Sequence, residues 1–436
     1  MEKILAQAGQ LGVEAEVFRG SSRETSIEFE NNSLKRVETV ERAGLAVRVI
    51  ARGRLGFATS SLPADEESVL RQAIDTAAFG KEIRFALPGH SPEQRVEVYD
   101  PSVPKIAPEE MVAYGEELIN PLRLADPKFK AGVSLAAAET RGELTNTAGF
   151  AMKISKTFFG GSVSGTLIEG ESFLELGEGF FSCRRTDDLM PLRDRVLNLL
   201  EQGRNNVALG SGRYPILFTP TAHASLLGPV LSCLNGKAVE KGSSPFRDRL
   251  GDQVFALDYT LYDDPLRPFA PSTTPFDAEG LPSAKTVLIE GGVLRTFLVD
   301  LDTASALNIK PNGNARRGGW SAPPGPGSST LVALPGKKTS EELLSGIEEG
   351  LLVHYLMGAG QSNPYGGVIN ANIMLGFLVR AGKVIGRVKN TMLAANVFEL
   401  LQSRLLGLSS DSETVSGTIV LPYLLADGVA VTAGGN

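Results

Sequence analysis

The run Tyr214–Phe246, YPILFTPTAHASLLGPVLSCLNGKAVEKGSSPF, sets the frame for the rest of the chain. Tyr214 to Phe218 is a short apolar segment that reads as a buried strand. Thr219 can cap the helix that follows, Pro220 suits its first position, and Gly236 is a stop. Between them Leu226, Leu227, Val230, Leu231 and Leu234 recur at three-to-four-residue spacing, the pattern of a face pressed into a core. Gly228-Pro229 is expected to bend this helix.

Working outward, the chain has 436 residues, 42% of them hydrophobic, enough for two or three domains with substantial cores. Net charge is −7 and the pI is near 5.3, so no overall attraction to nucleic acid exists. The basic pairs Arg52/Arg54, Arg184/Arg185 and Arg316/Arg317 read as solvated surface rather than phosphate clamps. Cys183 and Cys233 lack partners at metal spacing and read as reduced core residues, which suits a cytoplasmic compartment. The N-terminus, MEKILAQAGQLGVEAEVF, lacks a charged-then-apolar signal and reads as helix then strand. No window reaches the apolar length that spans a bilayer. The expectation is a cytoplasmic protein that binds neither membrane nor nucleic acid directly.

Before the central run, periodicity predicts a helix over 2–11 and strands over 14–19, 25–31 and 34–40, with Asn31-Asn32 as a hairpin turn. A second hairpin spans 44–59 around Arg52-Gly53. Helices follow over 62–78 and 108–124, and five strand segments, 130–140, 141–145, 151–160, 162–169 and 171–182, come next. A helix starting at Asp187-Asp188 leads to about Glu201, and the polar stretch 202–213 marks a domain boundary. After Phe246, Asp258, Asp263 and Asp264 lie in a turn-rich segment that reads as a solvated loop. Lys285 to Asp300 reads as a hairpin about Glu290-Gly291-Gly292, and Thr303 to Leu307 as a short helix. The segment 319–329, with the sole tryptophan, has no regular pattern. Helices are expected over 340–352, with His354 at a favourable C-terminal position, and over 392–405. A strand pair spans 366–389, and strands over 415–423 and 429–433 close the chain.

Several segments resemble the TldD/PmbA family, once described as modulators of DNA gyrase and now regarded as metallopeptidases. They are NNSLKRVETVERAGLAVRVIARGRLGFATSS from Asn31, STTPFDAEG from Ser272, KTVLIEGGVLRTFLVD from Lys285, ALNIKPNGNARRG from Ala306 and LVALPGKKTSEELLSGIEEGLLV from Leu331. The turn at Asn146–Gly149 resembles the family's Asn-Ser-x-Gly turn. In the catalytic TldD branch a helix at the place of 219–236 carries His-Glu-x-x-x-His, and a late cysteine completes the metal site. Two histidines one turn apart on one helix face would supply two ligands, with the glutamate acting on metal-bound water. Matched from the shared ending at Gly242–Phe246, the histidine positions fall on Leu227 and Ser232, the glutamate on Gly228, and the cysteine on Ser416. Leucine cannot ligate a metal, and a serine hydroxyl is a poor ligand for a divalent transition metal. The PmbA (TldE) branch, the non-catalytic partner in a heterodimer with TldD, shows the same absence.

The resemblance therefore implies no catalytic residue and no metal in this chain, zinc or iron being expected only in a TldD-like partner. It also implies peptide as the substrate, gripped by strand addition, and a homodimer when the chain is alone. In relatives the glycine-rich run after Asn312 borders the substrate cleft, which makes Asn314, Arg316 and Arg317 cleft candidates; the other reading is an Asn/Gly turn with two exposed arginines. His90, His223 and His354 stand in unrelated segments, and without a Gly-x-Ser-x-Gly motif a metal-independent hydrolase is the alternative. The expected fold is α+β. Residues 1–205 form an N-terminal mixed α/β domain with antiparallel strands, and 206–436 a β-rich C-terminal domain around the helix over 219–236.

Overall fold

In the segments from Glu14 on, apolar residues recur at every second position, as at Leu45, Val47 and Val49, at Val133 and Leu135, and at Leu174 and Leu176, a period of two that stands each strand with one face buried. A computed structural model, which describes residues 1–434 other than Pro92, Glu171 and Asp187, shows the result. Here α1 (Glu2–Gln10) leads into β1 (Glu14–Glu30), β2 (Ser33–Ala51) and β3 (Arg54–Ser61), then α2 (Glu66–Ala77) and α3 (Pro108–Ala125). Next come β4 (Lys130–Asn146), β5 (Ala151–Glu169), β6 (Ser172–Ser182) and α4 (Met190–Arg204). The six strands make one sheet in the order β3-β2-β1-β4-β5-β6, antiparallel throughout. The four helices cover one face of it. Ile4, Leu70 and Ala73 pack on Val17, Leu45 and Val47, while Met111, Leu118 and Val196 pack on Ile27, Val133 and Phe159.

The segments that the sequence divides at Gly20–Ser22, Thr140 and Gly161 run through as single long strands. The turns are where expected: Asn31 and Asn32 have φ of 50° and 67°, and Gly53 follows Arg52 at left-handed φ. The helix expected from Leu62 begins at Glu66, because the Asp65 side chain caps it by accepting from the N–H groups of Glu67 and Ser68. The helix expected from Asp187-Asp188 begins at Met190; Asp187 itself lies outside the described residues.

The second sheet takes its strands from the rest of the chain. In sequence they are β7 (Asn206–Val207) and β8 (Gly212–Phe218), the helices α5 (Pro220–Leu234) and α6 (Gly236–Glu240), then β9 (Leu261–Asp263), β10 (Thr286–Glu290) and β11 (Val293–Leu294). They continue with α7 (Leu301–Leu307), β12 (Ala315–Arg316), β13 (Gly325–Pro326), β14 (Leu331–Ala333), α8 (Ser340–Ser345) and β15 (Glu349–Met357). Last come β16 (Val368–Arg380), β17 (Lys383–Val388), β18 (Thr391–Asn396), α9 (Val397–Glu399), β19 (Leu405–Val415) and β20 (Ile419–Ala433). Among the described residues twelve of these strands form a mixed sheet in which β20 lies beside β8, β14, β18 and β19. Helix α5 packs on β20, β15 and β8. Leu226, Leu227, Val230 and Leu234 enter the largest apolar cluster, with Ile216, Phe218, Leu351 and Leu424. The mixed helix and strand content fits the expected α+β class.

Several expectations fail here. The helix over 340–352 stops at Ser345, and Leu351 and Val353 belong to β15, so His354 is a half-buried strand residue rather than a helix-end cation. Residues 391–396 are strand β18, and the helical part of 392–405 shrinks to Val397–Arg404. The last two strands expected are one, β20, and the hairpin expected to reach Asp300 ends at Leu294. In the segment expected to be irregular, Gly325–Pro326 pairs with Ala315–Arg316. No helix of the described residues is long and apolar enough to cross a membrane.

Candidate functional site

The face of β1 and β2 that carries Glu16 and Arg48 is turned toward the second half of the chain. Four charged side chains cross that boundary. Arg48 of β2 donates to Glu16 of β1 at 2.7 Å and to Glu279 at 2.5 Å, and Arg317 donates to Glu16 at 2.5 Å while lying over the Phe18 ring. Glu16, Arg48 and Glu279 are almost fully buried. Burial opposes the charge of Arg48, but the Glu16 and Glu279 carboxylates together raise its pKa. Burial pushes the Glu279 carboxyl up to about 7 against the pull of Arg48. Glu279 also accepts from the Leu301 N–H at 2.7 Å, which ties the network to the first turn of α7. Beside this network Phe150 meets Phe276 edge-on, with Leu144 completing a small apolar contact between the halves.

A second cluster surrounds Asp263 on β9. Its carboxylate accepts from Asn314 Nδ2 at 2.8 Å, from the Ser329 N–H at 2.6 Å and from Ser329 Oγ at 3.0 Å, with Arg316 at 3.4 Å. Arg316 further donates to Ser329 Oγ at 2.5 Å and to the carbonyls of Gly313 and Ala315. Burial raises the Asp263 and Asp277 carboxyls and lowers the Arg316 guanidinium. Asp277 accepts from the N–H groups of Glu279, Leu281 and Ala315, which fixes the turn that carries Glu279 beside β12. From this base the loop reaches back to the first sheet. Trp320 lies on Gly44 so closely that a Cβ there would stand 2.0 Å from the ring, and it also touches Gly20.

Asn314, Arg316 and Arg317 thus lie together where the two halves meet, but neither arginine is the exposed turn residue of the alternative reading. Asn314 is fully buried, and Arg317 is spent on Glu16. Asp263 corrects the expected solvated loop: it is wholly buried and the centre of its cluster. The alternation of Leu261 with Asp263, facing the Asn314 run, was the signal available for it. The basic pairs expected on the surface are drawn into ion pairs at Arg54 with Glu82 and Arg185 with Glu110.

The four positions matched to the family's metal site do not form one here. Leu227 lies in the core, Gly228 is exposed, and Ser232 Oγ donates to the Gly228 carbonyl at 2.9 Å. Ser416 is exposed in the turn between β19 and β20, with left-handed φ of 50°. A divalent metal finds neither imidazole nor carboxylate nor thiolate at these places, and among the described residues no group of three His, Cys, Asp or Glu is arranged to hold one. His223 is wholly buried, with Nδ1 at 3.0 Å from the Pro422 carbonyl and Nε2 at 3.3 Å from Tyr259 Oη. Burial lowers His223 and His354 to about 4, so both are neutral, His223 within the core and His354 half-buried on β15. Cys183 and Cys233 are buried and unpaired.

Comparisons with known proteins agree with this architecture. Residues 211–433 match the model of the PmbA/TldA metallopeptidase C-terminal domain, and residues 15–79 that of PmbA/TldA metallopeptidase domain 1. The chain is 25% identical to an uncharacterized protein of Methanocaldococcus jannaschii, over 92% of this chain and 93% of that one. It is 27% identical to a metalloprotease of Methanothermobacter thermautotrophicus, over 89% of this chain and 86% of that one. Its fold is similar to that of TldE from Thermococcus kodakarensis, with a TM-score of 0.91 at 23% identity over 99% and 100% of the two chains.

Proposed function

The chain belongs to the PmbA/TldD metallopeptidase family, and from that premise we propose that it is a peptide-binding subunit without a metal centre of its own. It works in proteolysis beside a TldD-type partner that supplies zinc or iron. The observation that carries this reading is the side-chain set at the four metal positions: an aliphatic residue sunk in the core, a glycine and two alcohols. Water activation needs a Lewis acid held by nitrogen, oxygen or sulfur donors, or an acid-base pair in reach of the scissile bond. His223 and His354 are held neutral away from any such pair. The chain's part is then to hold and orient an extended peptide in the cleft. Alone it is expected to pair with a second copy, and its two unpaired thiols suit a reducing cytoplasm.

The test is metal analysis of the purified chain together with cleavage of unfolded peptides. The expected result is less than stoichiometric zinc and iron, no cleavage alone, and cleavage once a metal-bearing TldD-type relative is added. One tightly bound metal per chain with unaided cleavage overturns the reading.

A further inference from the structure

Lys156 stands beside the ion pair of Arg316 with Asp263 without a carboxylate partner of its own among the described residues. It lies on β5, and the register pairs it with Thr140, Thr140 with Ser22, and Ser22 with Arg42, one row across four strands. The row before it, Ile154, Gly142, Gly20 and Gly44, is the one on which Trp320 sits. The row after it holds Phe158, stacked on Phe181 at 5.9 Å. The polar row is therefore the first beyond Trp320, and its side chains are half-buried at Lys156 and Ser22 and exposed at Thr140 and Arg42.

Lys156 Nζ donates to the Pro271 carbonyl at 2.9 Å, which leaves two of its three donors unused. Among the described residues no carboxylate faces it: the groups that act on it are the Cys183 thiol, kept protonated by burial, and Arg316. Arg316 is tied to the same corner. Ser272, next to Pro271, bonds Thr330 at 2.7 Å, and the adjoining Ser329 holds Arg316. Arg316 has Asp263 as its counter-ion, whereas Lys156 has none. Burial without a counter-ion lowers the pKa of this ammonium, and an anion that joined it would favour its charged form. Hydroxyls at Thr140 and Ser22 continue the row for roughly 10 Å. At the other end of the row Glu24, two residues along β1 from Ser22, offsets the charge of the exposed Arg42, which leaves Lys156 as the half-buried cation of the row.

We propose that this row is a carboxylate-recognition strip: a peptide lying between Trp320 and Phe158 sets a carboxylate on Lys156 and takes hydrogen bonds from Thr140 and Ser22. The inference rests on the peptide-binding reading above and narrows it to peptides bearing an acidic side chain or a free C-terminus at that point. The test is binding of short labelled peptides of one apolar sequence to the full chain, with an internal Glu, a free C-terminal carboxylate, both, or neither. Carboxylate-bearing peptides are expected to bind roughly tenfold tighter than the amidated Gln form, and whichever arm gains identifies the source of the charge. Lys156→Gln removes the preference without weakening the neutral peptide, and Lys156→Arg keeps it. Equal binding of all four peptides, or a preference that survives in Lys156→Gln, overturns the strip while peptide binding stands; the four-peptide comparison decides even if the variant does not fold. Failure of every peptide to bind, alone or with a metal-bearing relative, removes both readings.

Discussion

At Glu279 two effects oppose each other: withdrawal from water raises the carboxyl to about 7, while Arg48 at 2.5 Å favours its charge. Its folded pKa lies above the ordinary 4.5, so the folded chain holds the extra proton between about 4.5 and 7 and loses stability as pH rises through that window. His223 and His354 act in the other direction. Their folded pKa values of about 4 lie below 6.5, so the unfolded chain takes up protons first and stability falls on acidification from about 6.5. Glu279→Gln removes the contribution that opposes the histidines. The urea midpoint of the variant is expected to fall more steeply than the parent's between pH 6.5 and 4.5, by on the order of 1 to 3 kcal/mol in stability; parallel pH curves would refute this. Individual residues were only partly legible. Asn314, Arg316 and Arg317 stand out in the sequence, but their burial depends on Asp263 and Glu16, more than fifty and three hundred residues away respectively, as the bonds from Arg316 and Arg317 show.

Among the elements, α7 shows how local chemistry and the cleft meet. Asp300 caps it by accepting from the Thr303 N–H at 2.8 Å, Thr303 Oγ1 returns to the Asp300 N–H, and Glu279 takes the Leu301 N–H. Asp300→Ala is expected to cost about 1 to 2 kcal/mol, read as a lower denaturation midpoint, with Asp300→Asn recovering most of it. Turns were the legible part of the fold, since Asn31-Asn32 and Arg52-Gly53 carry their own left-handed chemistry. Long strands were not, because Gly20, Gly44 and Gly161 inside them look like breaks. At Gly44 the missing side chain makes room for Trp320, and at Gly161 for the backbone of Ser134. Residues 349–357 and 391–396 were misread for another reason: in the first both faces carry apolar residues, and in the second the exposed Met392 and Ala394 are themselves apolar, so neither sequence shows the alternation that separates strand from buried helix.

For the molecule as a whole, the seating of Trp320 on Gly44 reports whether the two halves remain closed. Gly44→Ala forces the ring off the sheet; a loss of about 1 to 3 kcal/mol is expected, with a red-shifted emission that is unambiguous because Trp320 is the only tryptophan. Unchanged emission would mean that the ring finds an equivalent seat. The position of β20 has a further consequence for how the chain is made. The strands of the first sheet are all made by Ser182 and its last covering helix by Arg204, so that sheet can assemble while the ribosome is still at work. The second must wait for residues 419–433, which join β8, β14, β18 and β19. Throughout that wait α5 has no finished surface to lie on, and its leucines are the segment for which a chaperone would compete.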